Sequence, residues 1–448
     1  MIHLFKSLGN YFAYDVYSGA LHIPDKLAYD MLGLLDKGLS AKDAKAKLSG
    51  EYSKEDIGQT YSEIQKLKDM GLLFSEFDYA DVKPLDNNRI KAMCLHIAHD
   101  CNLRCKYCFA SKGAFGGKRS LMSFEVGKKA LDFLVRNSKD AKVLEVDFFG
   151  GEPLMNFDTV KMLVAYARKV EADTGKQFKF TLTTNAYEMD EAAMDFLNRE
   201  MYNVVISLDG RPAVHDFMRP DEHGAGSHDT ILENARKFVK MRGDKSYYIR
   251  GTFTHNNLDF GEDVKYFAEQ GFEQMSIEPV VADPKMSYSL KPGDMEKIKS
   301  EYEGLAKWYM DFRRDKFINF FHFMINLEDG PCLIKRLSGC GAGFEYVAVT
   351  PEGDIYPCHQ YVGMDEMKMA TVDDDTIDRG MAEKFSANNV VNKPGCQECW
   401  AQFWCGGGCG ANAYKYNGDL NKPYTPECEM LKKRLECAMA IYALEKEE

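Results

Sequence analysis

Three cysteines stand at C-x3-C-x2-C within CNLRCKYCFA, residues 101–110, and their number is the first chemical clue. A structural zinc ion takes four ligands, so Cys101, Cys105 and Cys108 would need a partner such as His96 or His99. Three thiolates on one short loop can instead hold three irons of a cubane cluster and leave the fourth iron open to an outside ligand. Spacing alone leaves both possibilities standing. The other cysteines divide the chain. Cys94 precedes the triad, and a long cysteine-free body follows it. Cys332, Cys340, Cys358, Cys396, Cys399, Cys405, Cys409, Cys428 and Cys437 come after that body.

The bulk composition sets the compartment in which these thiols are expected to work. No apolar run reaches the ~18 residues needed to span a bilayer, and the N-terminus lacks the pattern of a signal peptide. A cytoplasmic chain is therefore expected, where thiols stay reduced and reactive or metal-bound cysteines are the default reading of thirteen. The formal net charge, 57 − 69 = −12, argues against bulk affinity for nucleic acid or an anionic membrane.

Three regions must position the thiols. Residues 1–85 begin with short alternating strands and a turn at Ser18-Gly19, then three helical segments, the last two opening on Ser40 and Ser53. Small strands with three helices read as a winged helix-turn-helix. This region holds ten lysines, no arginine and thirteen acids, a net of 10 − 13 = −3, which suits an extended peptide better than a phosphate backbone. A dimerisation module is the plainer alternative. No cysteine lies in this region, so it reads as separable from the chemistry. A polar linker with Pro84 follows. From 91 to 325, KAMCLHIAH, VLEVDFFG, FKFTLTTNA, NVVISLDG, YYIRGTFTH and EQMSIEPVV read as strands, with amphipathic helices between several of them. Repeated β-α units imply an α/β fold with a parallel sheet, closed or partly closed as a barrel, whose chemistry sits at the C-terminal strand ends. The triad follows the first of these strands. Residues 326–448 are rich in glycine and cysteine, with regular helices fading until EMLKKRLECAMAIYALEKEE.

With an aromatic before its last cysteine, the triad resembles the signature of radical S-adenosylmethionine (SAM, AdoMet) enzymes. In that family the open iron chelates AdoMet, and an electron from the cluster cleaves it to methionine and a 5′-deoxyadenosyl radical. Gly150-Gly151-Glu152-Pro153 is similar to the family's GGEP element, Thr183-Thr184-Asn185 to its TN element, and Ser207-Leu208-Asp209-Gly210 to a further strand-end element. The resemblance implies AdoMet contacts from Tyr107, Gly150, Gly151, Glu152, Pro153, Thr184, Asn185, Ser207, Asp209 and Arg250, Arg250 being a candidate for the carboxylate. It also implies a partial (β/α)6 barrel. Taken singly, each element could be only a strand cap or turn.

Cys340 and Cys358, then Cys396-x2-Cys399-x5-Cys405-x3-Cys409 and Cys428, resemble the SPASM extension, which carries two auxiliary 4Fe-4S clusters. Carried over, Cys396, Cys399, Cys405 and Cys428 hold one cluster, while Cys340, Cys358 and Cys409 contribute to the other. A pair of zinc ribbons is the competing reading. Cys332 either completes the second set or leaves an iron open to a substrate thiolate. Cys94 and Cys437 are expected to be buried structural residues, and His359 a hydrogen-bonding neighbour of a ligand. Together the three regions resemble maturases of ribosomally made peptides, most closely those of SCIFF peptides. That resemblance implies sactipeptide-type thioether formation on a precursor whose leader docks on residues 1–85. It also implies a reductant such as flavodoxin or ferredoxin. The alternatives are a formylglycine-forming sulfatase maturase, a quinohaemoprotein-subunit maturase, or a cluster-bearing winged-helix redox regulator.

Overall fold

The structure is a computed structural model that describes residues 1–79, 89–328 and 337–447. Cys332, Pro84 and the expected boundary at residue 85 lie outside the described residues.

The N-terminal unit opens with β1 (Ile2–Ser7), β2 (Asn10–Asp15) and β3 (Leu21–His22), an antiparallel sheet in that order. Leu8 and Gly9 connect the first two strands with φ of 51° and 81°, the pair of left-handed residues that matches the twist of a two-residue hairpin. Helices α1 (Lys26–Asp36), α2 (Ala41–Leu48) and α3 (Lys54–Asp69) follow. Asp25, Ser40 and Ser53 cap them, each accepting a backbone N–H of the first turn. Strand alternation gives the sheet two apolar faces. Ile2 and Ala13 pack with Leu27, Met31 and Leu32 of the helices. Phe5, Phe12, Tyr14 and Val16 pack instead against Leu337, Val390, Phe403, Met439 and Ala440. One face of the unit's sheet is thus completed by the cysteine-rich C-terminal region.

The second sheet has ten strands. Six consecutive ones, β4 (Ala92–Ala98), β5 (Val143–Gly150), β6 (Gln177–Thr184), β7 (Asn203–Ser207), β8 (Tyr247–Phe253) and β9 (Gln274–Pro279), are parallel and adjacent in chain order. Helices α4 (Phe124–Asn137), α5 (Phe157–Thr174), α6 (Glu191–Glu200), α7 (Pro212–Met218), α8 (His228–Arg242), α9 (Phe260–Glu269) and α10 (Met295–Arg313) form the crossovers and cover one face. Alternate strand residues such as Leu95, Val146, Phe180, Ile206, Ile249 and Ile277 are fully buried in that core. The other residues of each strand, among them His96, Asp147, Ser207, Arg250 and Glu278, belong to the opposite face.

The sheet does not close on itself. β10 (Asn319–Phe320) occupies the free edge of β9, and β11 (Tyr346–Val349) pairs in parallel with β4. β12 (Asp354–Tyr356) and β13 (Ala370–Thr371) add antiparallel strands beyond it. The cysteine-rich region therefore continues the main sheet past the expected division at 325/326. It is also more helical than expected. It contains α11 (Arg379–Ser386), α12 (Gln402–Cys405) and α13 (Gly410–Asn417). The last helix, α14, begins at Thr425, ahead of the expected start, because Pro426 suits a first helical turn. No helix among the described residues is long and apolar enough to cross a membrane.

Candidate active site and metal centres

The triad loop leaves β4 and is tied down from two sides. The Arg104 and Lys106 N–H groups donate to the Pro220 and Met218 carbonyls at 2.8 Å each. The Leu103 N–H points at Cys101 Sγ, 3.4 Å away. Burial pushes the Cys101 thiol up to about 12 and the Cys105 thiol up to about 11, and neighbouring thiols add to both shifts. Cationic iron would reverse that penalty, since metal coordination deprotonates a thiol outright. Asn102 is buried, and its Nδ2 has no hydrogen-bond partner among the described residues, which leaves a donor beside Cys101 for a bound group. No three His, Cys, Asp or Glu side chains among the described residues converge closely enough to chelate one ion. His96 and His99 are engaged with each other, Nδ1 to Nε2 at 3.0 Å, and burial lowers both.

Glycines 150 and 151 are where β5 meets the triad loop. A Cβ on Gly150 would sit 2.3 Å from the Ala98 carbonyl oxygen, and one on Gly151 2.0 Å from that of Asp100, so only glycine fits. Gly150 also has a φ of 125°. The Gly151 and Glu152 N–H groups donate to those same carbonyls at 2.7 and 2.8 Å. Pro153 opens the short 3-10 turn that follows. Glu152 is expected from the sequence as a direct AdoMet contact, yet it is 1% exposed and its oxygens are taken. Oε1 accepts from Thr184 Oγ1 at 2.7 Å and Leu154 N–H at 3.0 Å, and Oε2 accepts from Asn185 N–H at 2.7 Å. It holds the ends of β5 and β6 together. Burial raises it to about 7 despite these three donors. Asn185 then reaches the triad, donating from Nδ2 to Asn102 Oδ1 at 2.7 Å, with Cys101 Sγ 3.7 Å away.

Asp209 is likewise buried rather than open. It accepts from Tyr107 Oη at 2.5 Å and from Thr252 N–H at 2.9 Å, and Arg219 Nε lies 3.0 Å from it. These contacts anchor Tyr107, and so the far end of the triad loop, to β7 and β8. Ser207 and Arg250 are register partners on those two strands, and Arg250 is exposed. Arg250 acts electrostatically on Glu278, whose carboxyl is held well below its usual range, chiefly by His322. His322 Nε2 is 3.2 Å from Glu278 Oε2, and its Nδ1 shares a hydrogen bond with Tyr302 Oη at 3.1 Å.

The C-terminal thiols form two neighbourhoods. Cys358 is pushed up to about 12 by burial, and its thiol neighbours are Cys409 and Cys340. Cys405 neighbours Cys428 and Cys396, and Cys396 neighbours Cys399. Gly406, Gly407 and Gly408, with φ of 63°, 90° and 72°, turn the chain so that Cys405 and Cys409 serve different neighbourhoods. A narrow recess is lined by Cys405, Cys409 and Cys428. His359 shares a hydrogen bond with Tyr346 Oη at 3.3 Å and stands between Cys358 and the rings of Phe109 and Phe149. Cys94 and Cys437 are buried. A cleft of about 460 Å³ is lined by interleaved Lys and Glu residues such as Lys299, Glu429 and Lys433.

Residues 95–274 match the radical SAM superfamily. This part of the chain is a radical SAM domain. Over a longer stretch, the chain is 27% identical over 333 residues to the cysteine-type anaerobic sulfatase-maturating enzyme of Clostridium novyi (strain NT), covering 70% of this chain and 86% of that one. The structure of native anSMEcpe with bound AdoMet has a TM-score of 0.63 at 22% identity and covers 79% of this chain and 98% of its own. Streptococcus suis SuiB bound to precursor peptide SuiA has a TM-score of 0.53 at 17% identity, covering 94% of this chain and 97% of its own. At these identities the two structures show a shared fold.

Several residues that shape the radical SAM domain were not singled out from the sequence. Asn102 stands inside the triad and was visible as its one amide. Arg219, from the segment after α7, gave no local signal, because its role depends on a contact across more than one hundred residues of chain. Glu278 was readable only as a carboxylate at a strand end, and His322 only once β10 was placed beside β9.

Proposed function

We propose that this chain is a three-cluster radical SAM maturase that oxidises a cysteine-bearing polypeptide. The observation that carries the reading is the placement, within a radical SAM domain, of three thiols at the end of β4, with two further neighbourhoods of thiols in the region that extends the same sheet. When bound, a reduced cluster with AdoMet supplies a carbon-centred radical able to abstract hydrogen from substrate carbon. Cys101, Cys105 and Cys108 hold the irons. Glu152, Asn185 and Asn102 fix one side of their loop, and Tyr107 with Asp209 and Arg219 fixes the other. Arg250 and Ser207 offer a charge and a hydroxyl to the AdoMet carboxylate and ribose. Phe109 and Phe149 pack their rings against His359, the residue after Cys358.

Two products are in play. The Clostridium novyi relative favours formylglycine formation, the alternative named from the sequence, over thioether crosslinking. The N-terminal unit, together with the wider coverage by SuiB with its precursor peptide, favours a leader-bearing peptide substrate. Mass spectrometry separates the products. The reconstituted enzyme is incubated with the precursor peptide encoded beside its gene, and separately with a synthetic cysteine peptide that copies a sulfatase active-site segment. Replacement of sulfur by oxygen together with loss of two hydrogens in the latter, the conversion of CH2SH to CHO, assigns formylglycine formation. Loss of two hydrogens with sulfur retained in the former assigns a thioether. If neither peptide changes mass while AdoMet is cleaved, the maturase reading falls.

A further inference from the structure

Lys393 is a lysine where none belongs. It is 2% exposed, and no carboxylate among the described residues lies within ion-pair distance of it. Its Nζ donates to the Gly407 carbonyl at 2.5 Å, one acceptor for three N–H groups. Lysine is almost never fully buried unless paired, because taking an ammonium out of water costs several kcal/mol. A single carbonyl does not offset that cost. The carbonyl it bonds lies in the turn between Cys405 and Cys409, and the Lys393 carbonyl accepts from the Cys396 N–H at 3.2 Å. Burial lowers the ammonium's pKa, and the nearby thiols of Cys396, Cys405 and Cys409 oppose that shift. Lys393 is thus bonded to chain segments that carry thiols of both C-terminal neighbourhoods, Cys396 on one side and the Cys405–Cys409 turn on the other.

We infer that Lys393 is the built-in counter-cation of the auxiliary clusters, raising their reduction potential by stabilising the added electron. The inference rests on the auxiliary-cluster reading above. A cubane with four thiolates is an anion that gains a further negative charge on reduction, and potential is set by net charge and by hydrogen bonds to sulfur. A buried ammonium supplies the positive charge. It also fits the Gly406-Gly407-Gly408 turn, since a Cβ on Gly407 would lie 3.6 Å from Lys393 Nζ. Lys393 is thus a positioning and tuning residue, not one that touches substrate.

The test uses the full chain with Cys101, Cys105 and Cys108 replaced by alanine, so that only auxiliary clusters contribute. Iron is counted first: about eight irons support the clusters, whereas none would overturn the auxiliary-cluster reading before any lysine variant is made. Lys393→Met, Lys393→Gln and Lys393→Arg are then compared by redox titration followed by electron paramagnetic resonance. With iron retained, Lys393→Met and Lys393→Gln are expected to make at least one auxiliary cluster about tenfold harder to reduce, about 59 mV more negative for one electron, with Lys393→Arg close to the parent. Loss of iron in Met and Gln but not in Arg supports the counter-cation equally. Unchanged potentials in Met and Gln, or loss of iron in all three variants, would overturn it.

Discussion

Glu152 shows how a residue that looks like a ligand contact can serve first as a structural knot. Its two oxygens take three donors from the ends of β5 and β6, and burial still raises it to about 7. A raised carboxyl contributes stability that is fully present below its unfolded value of 4.5 and lost as pH rises through about 7. Glu152→Gln cannot ionise but leaves one N–H facing another, at a cost of about 1–3 kcal/mol. The variant should therefore melt well below wild type at pH 5 and regain ground by pH 8, as read by thermal unfolding. A gap that widens with pH would contradict this. Gly151→Ala is a harsher change, because its Cβ meets a carbonyl oxygen of the triad loop rather than a flexible side chain. It should lose the iron of that loop while the C-terminal thiols keep theirs; full iron would show that the loop can move. The glycines, the triad and the TN element were legible because each is a short run at a strand end. The partners that Asp209 and Glu152 hold within the protein could not be read, since sequence cannot show that Tyr107, Thr252 or Thr184 bonds to them.

At the scale of elements, the N-terminal sheet and the cysteine-rich loop share one core. His3 stacks on Trp400 with ring centroids 3.8 Å apart, and Trp404 Nε1 donates to Tyr14 Oη at 2.9 Å. Both tryptophans lie between Cys399 and Cys405. The sequence made this unit look removable, because it holds no cysteine. The structure leads to a different expectation. Deleting residues 1–79 uncovers Phe403, Val390 and Met439, each worth about 1.5–3 kcal/mol of burial, and should lower the iron held by the C-terminal thiols. Iron analysis of the deletion in the triad-to-alanine background checks this, and an unchanged count would restore the separable unit. Helix starts were readable from Ser40 and Ser53 because capping is a local interaction. The pairing of β11 with β4 was not, because a four-residue strand joining across about 250 residues leaves no local pattern.

Over the whole molecule, one open parallel sheet carries the triad at β4, the proposed AdoMet contacts on β5 to β8, and the cysteine-rich region beyond β11. The six parallel strands could be read because each is a largely apolar run between turns or amphipathic helices. Which polypeptide enters could not, since nothing in these residues fixes a substrate sequence. The account stands or falls on whether the triad makes this chain a radical SAM enzyme. The deciding measurement is 5′-deoxyadenosine formed from AdoMet by anaerobically reconstituted full-length protein under a strong reductant, with iron counted in the same sample. About 12 irons and steady 5′-deoxyadenosine are expected. Cys101→Ala, Cys105→Ala and Cys108→Ala together should remove about four irons and all of the product. Zinc in place of iron, or product formation that survives loss of the triad, would contradict the account.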